Sequence, residues 1–197
     1  INFKGIVGFY EGFHSYFPVD NIDLHKDNVE KIIETKRLIE HVGLKVEEVC
    51  LGATFDYEWV SKIDGVTQIL AGIYVLMDSN HASLNSEFVQ SAKVIGTVTG
   101  TPEDGIVITD SGQKSIGADA GVAFVSGWDG LTLASLSAEH GTVEVESSCV
   151  RYPEIKDKIW FVPWDIGGCF NSHDFINGVR AGKLEVVWEI SARGNYM

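Results

Sequence analysis

The stretch NIDLHKDNVEKIIETKRLIEHVGL, residues 21–44, decides the fold of the first half of the chain. Its apolar residues recur at helical spacing with charged residues between them, which predicts an amphipathic helix. Gly43 is expected just beyond the end of this helix, because glycine takes the left-handed conformation there without strain. Two short apolar runs flank the stretch, FKGIVGFY at 3–10 and KVEEVCLG at 45–52. The order strand, helix, strand predicts a βα unit of a parallel α/β architecture.

The second half of the chain has a different pattern. A further apolar segment, GVTQILAGIYVLMD at 65–78, predicts one or two more strands. From Ala92 onwards, short β-rich runs alternate with turn residues, which predicts an antiparallel β-domain. These runs begin at residues 93, 105, 121, 131, 141, 158 and 184. We therefore predict two domains, residues 1–88 and 89–197.

The composition is typical of a globular domain and argues against several classes of partner. Of the 197 residues, 45% are hydrophobic and 22% are charged. The net charge of −13 disfavours nucleic acid and anionic membranes, since phosphate groups are bound by basic patches. The apolar runs are too short to predict a membrane span. The cysteines Cys50, Cys149 and Cys169 are odd in number and widely spaced, which favours a reducing cytoplasm over a disulfide framework.

Two loops that follow predicted strands are candidate sites. LGATFD at 51–56 places glycine and Thr54 directly after a strand, where backbone N–H groups and a hydroxyl can hold a phosphate. The alternative is an ordinary βα turn. YEGFHSY at 10–16 gathers His14 and Tyr16 at the carboxyl end of a strand, where parallel α/β folds place their sites. Here the alternative is a packed loop.

Two turns of the predicted β-domain carry charged groups that resemble catalytic ones. Lys114 in DSGQKS, 110–115, could be a Schiff-base lysine. A solvated surface lysine is favoured, because no apolar pocket or second cation is evident that would lower its pKa. Glu139 and His140 in SAEHG, 137–141, form either an acid–base pair or a charged hairpin turn.

Four potential metal ligands lie in FVPWDIGGCFNSHDF, residues 161–175. They are Asp165, Cys169, His173 and Asp174. Zinc sites commonly pair ligands two or three residues apart and keep one position open for catalysis. Asp165 is followed by two glycines, which supply no ligand, and the next candidates are four and eight residues away. Spacing alone therefore leaves a metal site and a capped turn as alternatives.

Seven motifs, taken in order, resemble the C-terminal half of the family that contains D-threonine aldolase and eukaryotic-type D-serine dehydratase. The motifs are EGFHSY at 11–16, VCLGATFD at 49–56, GVTQILAGIYVLMDSNHASL at 65–84, VITDSGQKSIGAD at 107–119, LSAEHG at 136–141, VPWDIGGCFNSHD at 162–174 and VVWEISARG at 186–194. Members of that family are pyridoxal-phosphate enzymes of the alanine-racemase-like fold (fold type III). The resemblance implies a partial TIM-type (β/α) barrel over 1–88 and an antiparallel β-domain over 89–197.

The resemblance also assigns roles to individual residues. It implies that Gly52, Thr54 and Tyr74 bind pyridoxal 5′-phosphate. It implies that His14 and Tyr16 are catalytic residues beside that cofactor.

The family's divalent-metal ligands fall at Asp165 and Gly167, and His173 and Asp174 match family positions that can equally be structural. Asp165 remains a candidate ligand, whereas Gly167 has no side chain to offer. The sequence also departs from the family at the end of the barrel segment, where an Arg-Pro pair is Leu70-Ala71 and a Glu is Gln68.

The function implied by the resemblance is that of a pyridoxal-phosphate-dependent lyase. It would cleave or dehydrate D-3-hydroxy amino acids. Two alternatives stay open: a racemase that needs no metal, and a non-catalytic cofactor-binding or scaffold member of the family. The family's Schiff-base lysine matches a position upstream of Ile1, so the chain is expected to be part of a longer protein. That protein is expected to be a homodimer that needs the N-terminal half-barrel.

Overall fold

The computed structural model of the chain describes residues 2–9, 22–83 and 87–195. Backbone contacts divide the chain into two compact units. The parallel unit consists of Ile1–Val75 and Ser83–Phe88, and the antiparallel unit consists of Leu76–Ala82 and Val89–Met197. The short segment Leu76–Ala82 thus belongs with residues that follow it at some distance in the sequence.

The parallel unit contains a three-stranded parallel sheet and one long helix. Its elements are β1 (Gly5–Val7), α1 (Ile22–His41), β2 (Glu48–Leu51), α2 (Tyr57–Val60) and β3 (Gln68–Ile69), with a 3₁₀ turn at Ile73–Val75. The strand order is β1–β2–β3, and both pairings are parallel. The predicted amphipathic helix is confirmed, and Gly43 follows it with φ of +87°.

The core of the parallel unit lies between α1 and the sheet. Val29 and Ile33 on α1 are buried against Val49 and Leu51 of β2, together with Val60 of α2. The segment 65–78, which predicted one or two strands, forms only the two-residue strand β3 before it turns. Gly72 and the 3₁₀ turn that follows end the extended conformation there.

The antiparallel unit contains a six-stranded sheet and a separate hairpin. Its elements are α3 (Ser79–Ala82), β4 (Val94–Glu103), β5 (Ile106–Thr109), α4 (Gln113–Ile116), β6 (Phe124–Ser126), β7 (Leu131–Leu136), β8 (Gly141–Val145), β9 (Lys158–Val162), α5 (Ile166–Asn171), β10 (Phe175–Arg180) and β11 (Lys183–Glu189). The sheet order is β6–β9–β4–β5–β8–β7 with every pairing antiparallel. Its edge strands β6 and β7 approach each other, so the sheet is nearly closed.

All seven β-rich runs of the second half form strands, as predicted. Alternate side chains of these strands point inward and form the core of the unit, which includes Val98, Val107, Val143, Ile159 and Phe161. The sequence pattern missed β10, which pairs with β11 in a two-stranded antiparallel sheet. It also missed α4 and α5, which are too short to show a helical period. In the described part of the chain, no helix has the length and apolar character needed to cross a membrane.

Candidate functional site

The carboxyl ends of the three parallel strands lie at one edge of their sheet. Because β1, β2 and β3 run in the same direction, the segments that follow them all begin at this edge. Gly52 directly follows β2, and Tyr74 lies in the 3₁₀ turn after β3. His14 and Tyr16 follow β1 in sequence, but both lie outside the described residues.

The loop after β2 turns sharply at Gly52. This residue has φ of +75°, and a Cβ atom there would lie 3.2 Å from both Asp56 Oδ1 and Val60 Cγ1. The loop therefore requires glycine at this position. Asp56 closes the turn, since its Oδ1 accepts a 2.6 Å hydrogen bond from the N–H of Ala53. Its carboxylate is buried, being only 3% exposed.

A hydrogen bond joins the loop after β2 to the turn after β3. The buried Thr54 Oγ1 accepts it from the N–H of Tyr74 at 3.1 Å. The Tyr74 ring packs against Phe88, whose ring centroid is 5.2 Å away. The structure thus brings together Gly52, Thr54 and Tyr74, the three residues predicted to bind the cofactor.

These residues fit a phosphate group in part. A threonine hydroxyl that accepts one hydrogen bond still carries a proton that it can donate, so Thr54 is suited to an anionic oxygen. The N–H of Ala53 is different, because it is already donated to the Asp56 carboxylate. The loop would therefore hold a phosphate with the Asp56 carboxylate close by, and no sequence motif indicated this neighbour.

Asp165 lies in the antiparallel unit at the start of α5, where it acts as the N-cap. Its Oδ1 accepts from the N–H of Gly167 at 2.9 Å, and its Oδ2 accepts from the N–H of Gly168 at 3.1 Å. A third N–H at this helix end, that of Ile166, is donated to Asp78 Oδ2 at 3.3 Å. Two carboxylates thus bind the first three N–H groups of α5, which a helix leaves without intrahelical partners.

Asp78 is the buried partner in this arrangement. It is 1% exposed. Its Oδ1 accepts two hydrogen bonds from His81, one from the backbone N–H at 2.9 Å and one from the ring Nδ1 at 2.7 Å. Ser79 next to it donates its N–H and its hydroxyl to the carbonyl of Pro163. Segment 76–82 is therefore attached to the junction between β9 and α5. Asp78 was not among the predicted site residues, although an aspartate before Ser-Asn-His is a recognisable helix N-cap signal.

The remaining candidate metal ligands are also engaged within the chain. Burial, and then the nearby Asp165 charge, raises the pKa of the Cys169 thiol to about 12, so it is not a thiolate at neutral pH. Its Sγ lies 3.5 Å from the carbonyl of Ser115, and His173 Nε2 donates to the same carbonyl at 2.7 Å. Asp174 pairs with Arg193 at 2.5 Å.

This donor set does not fit a divalent metal centre. Of the two positions that match the family's metal ligands, 165 and 167, only 165 carries a side chain. Both carboxylate oxygens of Asp165 accept hydrogen bonds from the N–H groups at the start of α5. Within residues 2–9, 22–83 and 87–195, no group of three or more His, Cys, Asp or Glu side chains could hold an ion. A structural role for Asp165, Cys169 and His173 accounts for each of their contacts.

The two charged turns of the antiparallel unit lie against each other. Gln113 and Lys114 donate their backbone N–H groups to the carbonyls of Ser137 and Ala138. Lys114 Nζ pairs with Glu139 Oε1 at 2.5 Å, with both side chains well exposed. The hydrogen bond from Lys114 lowers the pKa of Glu139. The prediction of a solvated lysine is confirmed, and the Glu139 carboxylate serves as its ion-pair partner.

Comparison with known proteins shows relatives along the whole chain. Residues 91–179 match the family described as a putative serine dehydratase domain. The D-threonine aldolase of an Arthrobacter species is 29% identical over 98% of this chain and 52% of its own length. The 3-hydroxy-D-aspartate aldolase of Paracoccus denitrificans strain Pd 1222 is 28% identical with the same coverage. The chain is similar in sequence to D-threonine aldolase over nearly its whole length.

Solved structures agree with this relationship. The D-threonine aldolase from Filomicrobium marinum superposes with a TM-score of 0.89 at 25% identity, over 99% of this chain and 54% of its own. An alanine-racemase-like protein from Idiomarina loihiensis superposes with a TM-score of 0.69 at 18% identity, over 83% of this chain and 50% of its own. The fold of the chain is therefore alanine-racemase-like. The chain spans about half the length of the curated relatives it matches.

Proposed function

We propose that the chain is the C-terminal portion of a pyridoxal-phosphate-dependent lyase that acts on D-3-hydroxy amino acids. The observation that carries this proposal is the match to a D-threonine aldolase structure over 99% of the chain at a TM-score of 0.89. The second curated relative is a 3-hydroxy-D-aspartate aldolase, whose name also describes a D-amino acid with a 3-hydroxyl group. Aldol cleavage is favoured over dehydration, because all three curated relatives are named as aldolases.

The parallel unit would supply the cofactor's phosphate contacts. When bound, pyridoxal phosphate withdraws electrons from the α-carbon of the amino acid. Thr54 would donate its hydroxyl proton to a phosphate oxygen while its lone pair keeps the bond from the Tyr74 N–H. Gly52 would allow the backbone to approach the phosphate, because its left-handed conformation leaves no side chain in the way. We assign His14 and Tyr16 to the reacting end of the cofactor, as the family resemblance implies.

The proposal extends to the architecture and setting of the whole protein. The parallel unit would be part of a (β/α) barrel, since strand, helix and strand follow one another in parallel order. Exposed apolar side chains such as Val7 and Phe9 are consistent with further barrel strands that cover them. We further propose a homodimer in the reducing cytoplasm, a compartment suited to the three free cysteines.

Product analysis on the protein that contains this chain tests the proposed activity. With D-threonine as substrate, we expect glycine and acetaldehyde in equal amounts, and no reaction with L-threonine as the control. A 2-oxo acid with ammonia would instead show a dehydratase. Loss of optical purity alone would show a racemase, and any of these results other than aldol cleavage would refute the aldolase assignment.

Cofactor binding is tested separately from activity. The protein mixed with pyridoxal phosphate is expected to develop an absorbance band at about 410–430 nm. Thr54→Val should weaken the affinity for the cofactor by roughly tenfold, equal to the loss of one hydrogen bond to a charged group, or about 1.4 kcal/mol. Thr54→Ser keeps the hydroxyl and should bind as the wild type does. Equal binding by all three proteins would exclude Thr54 from the phosphate site.

One observation favours the non-catalytic alternative. The buried Asp56 carboxylate occupies the N–H of Ala53 in the loop that would hold the phosphate. In a chain that does not bind the cofactor, no phosphate would be repelled by the Asp56 carboxylate in this loop. Absence of both the absorbance band and all three products, in a folded protein, would establish this alternative.

A further inference from the structure

The start of α5 has the electrostatic character of an anion site. The N–H groups of Ile166, Gly167 and Gly168 all point out of the helix end, where aligned peptide dipoles place partial positive charge. The groups that meet them are the carboxylates of Asp78 and Asp165. A divalent cation at this place would face the same positive N–H groups that the carboxylates now neutralise. It would also compete with them for the lone pairs of Asp165.

The neighbouring side chains do not supply further ligands that would stabilise a cation at the start of α5. Gly167 and Gly168 contribute no ligand atoms. Cys169 and His173 point to a shared acceptor, the carbonyl of Ser115, at 3.5 Å and 2.7 Å. Because a carbonyl only accepts, His173 Nε2 carries a proton and offers no lone pair to a metal ion.

The arrangement is instead complete as a helix cap. The carboxylate of Asp165 binds the second and third N–H groups of the helix, and that of Asp78 binds the first. Asp78 is 1% exposed, so it forms this bond away from water. Its bonds to His81 fix its orientation from the other side. Asp165, in the position where the family resemblance puts a metal ligand, thus serves as one half of a two-carboxylate cap.

We propose that residues 165–168 of this chain hold no divalent metal ion, and that Asp165 and Asp78 together cap α5 in its place. Any reaction of the protein would then proceed without an ion bound at Asp165. This inference concerns the folded chain itself and does not depend on the proposed lyase activity.

Direct metal binding tests the proposal on the protein that contains this chain. The protein is first dialysed against a chelator and then equilibrated with Zn²⁺ or Mn²⁺, and bound metal is measured per chain. We compare the wild type with Asp165→Ser, in which a hydroxyl can still cap the helix but the charge is gone. The expected result is the same metal content in both proteins, whether no ion is bound or an ion is held elsewhere. One ion per chain with Kd below about 10 μM, weakened tenfold or more in Asp165→Ser, would overturn the proposal.

Thermal unfolding tests the cap itself. Asp165→Ala should lower the melting temperature by about 2–4 °C, the size expected for a lost N-cap in a chain of this length. Asp165→Ser should lower the melting temperature less. Addition of a chelator should not change the melting temperature of the wild type or of either variant. A wild type that loses stability on chelation, while Asp165→Ala does not, would show that Asp165 holds a metal ion. Equal melting temperatures for all three proteins would show that no cap is present.

These outcomes are independent of catalysis. All of the measurements are made without substrate, so a protein that lacks lyase activity gives the same answer about Asp165. Conversely, detection of a metal ion at Asp165 would leave the interpretation of the product analysis with D-threonine unchanged.

Discussion

At the residue scale, Cys169 shows how burial determines chemical behaviour. Its side chain is 2% exposed, and its pKa is raised to about 12 by burial and by the Asp165 charge. We expect Cys169 to resist alkylation by iodoacetamide at pH 8 in the folded protein and to react once the protein is unfolded. The half-exposed Cys149 is the internal control and should react in the folded state. Peptide mass mapping after timed alkylation measures both sites, and equal labelling of the two thiols in the folded protein would contradict the expected protection.

The same pKa shift makes stability depend on pH. A thiol with a raised folded-state pKa contributes fully below its unfolded pKa of about 9 and loses that contribution as pH rises towards 12. Between these values the free energy of unfolding should fall by at most about 1.4 kcal/mol per pH unit from this group. The free energies of unfolding of the wild type and of Cys169→Ala, measured by denaturant titration, should therefore become more similar as the pH rises above 9. Parallel pH profiles would rule out this linkage.

At the element scale, the contact between the two charged turns depends on one glycine. A Cβ atom on Gly112 would lie 2.5 Å from the backbone of Glu139 and His140, and a backbone contact cannot be relieved by a side-chain rotation. Gly112 has φ of −107°, which alanine tolerates, so its requirement is steric and not conformational. We expect Gly112→Ala to reduce the free energy of unfolding by about 1–3 kcal/mol, the usual cost of overpacking.

Gly100 provides the matched control for this substitution. It lies in β4 without a positive φ, and a Cβ atom there would meet nothing within 4 Å. Gly100→Ala should be neutral or should stabilise the protein by up to about 1 kcal/mol, because alanine lowers the entropy of the unfolded chain. Urea titration of both variants measures the difference, and equal stabilities would show that the turns do not meet at Gly112.

At the scale of the whole molecule, segment 76–82 determines where the antiparallel unit begins. Leu76 accepts from the N–H groups of Ser91 and Ala92, and Ser79 donates to Pro163. A fragment of residues 76–197 should therefore be more stable than one of residues 89–197, by about 1.5–3 kcal/mol from the bond between Asp78 and the N–H of Ile166 alone. Thermal unfolding of the two fragments measures this. Equal melting temperatures would show that the segment is not part of the unit.

The sequence predicted regular elements well and side-chain environments poorly, for a physical reason. Residues 21–44 and the seven β-rich runs carry a period of their own, so each element is visible in its local pattern. The contacts of Asp165 depend on Asp78, which is distant in sequence, and on the two glycine N–H groups beside it. The spacing of ligand-type residues therefore left a metal site and a capped turn as alternatives, whereas the fold shows their cap and carbonyl contacts. The family resemblance implied that Thr54 and Tyr74 bind one cofactor, and this role stays a prediction. Parallel strands bring the segments that contain the two residues to one edge of the sheet.

The placement of segment 76–82 has a consequence for the order of events during synthesis. Ser79 finds its partner 84 residues later, and Asp78 bonds to a residue 88 positions further along. At a translation rate of about 5–20 residues per second, the ribosome needs on the order of 5–20 s to make that stretch. Throughout this interval Asp78 Oδ2 has no partner at α5, because Ile166 has not yet been made, whereas His81 is already available to Oδ1. The nascent antiparallel unit consequently cannot close from its N-terminal side, and its completion waits for the emergence of residue 166.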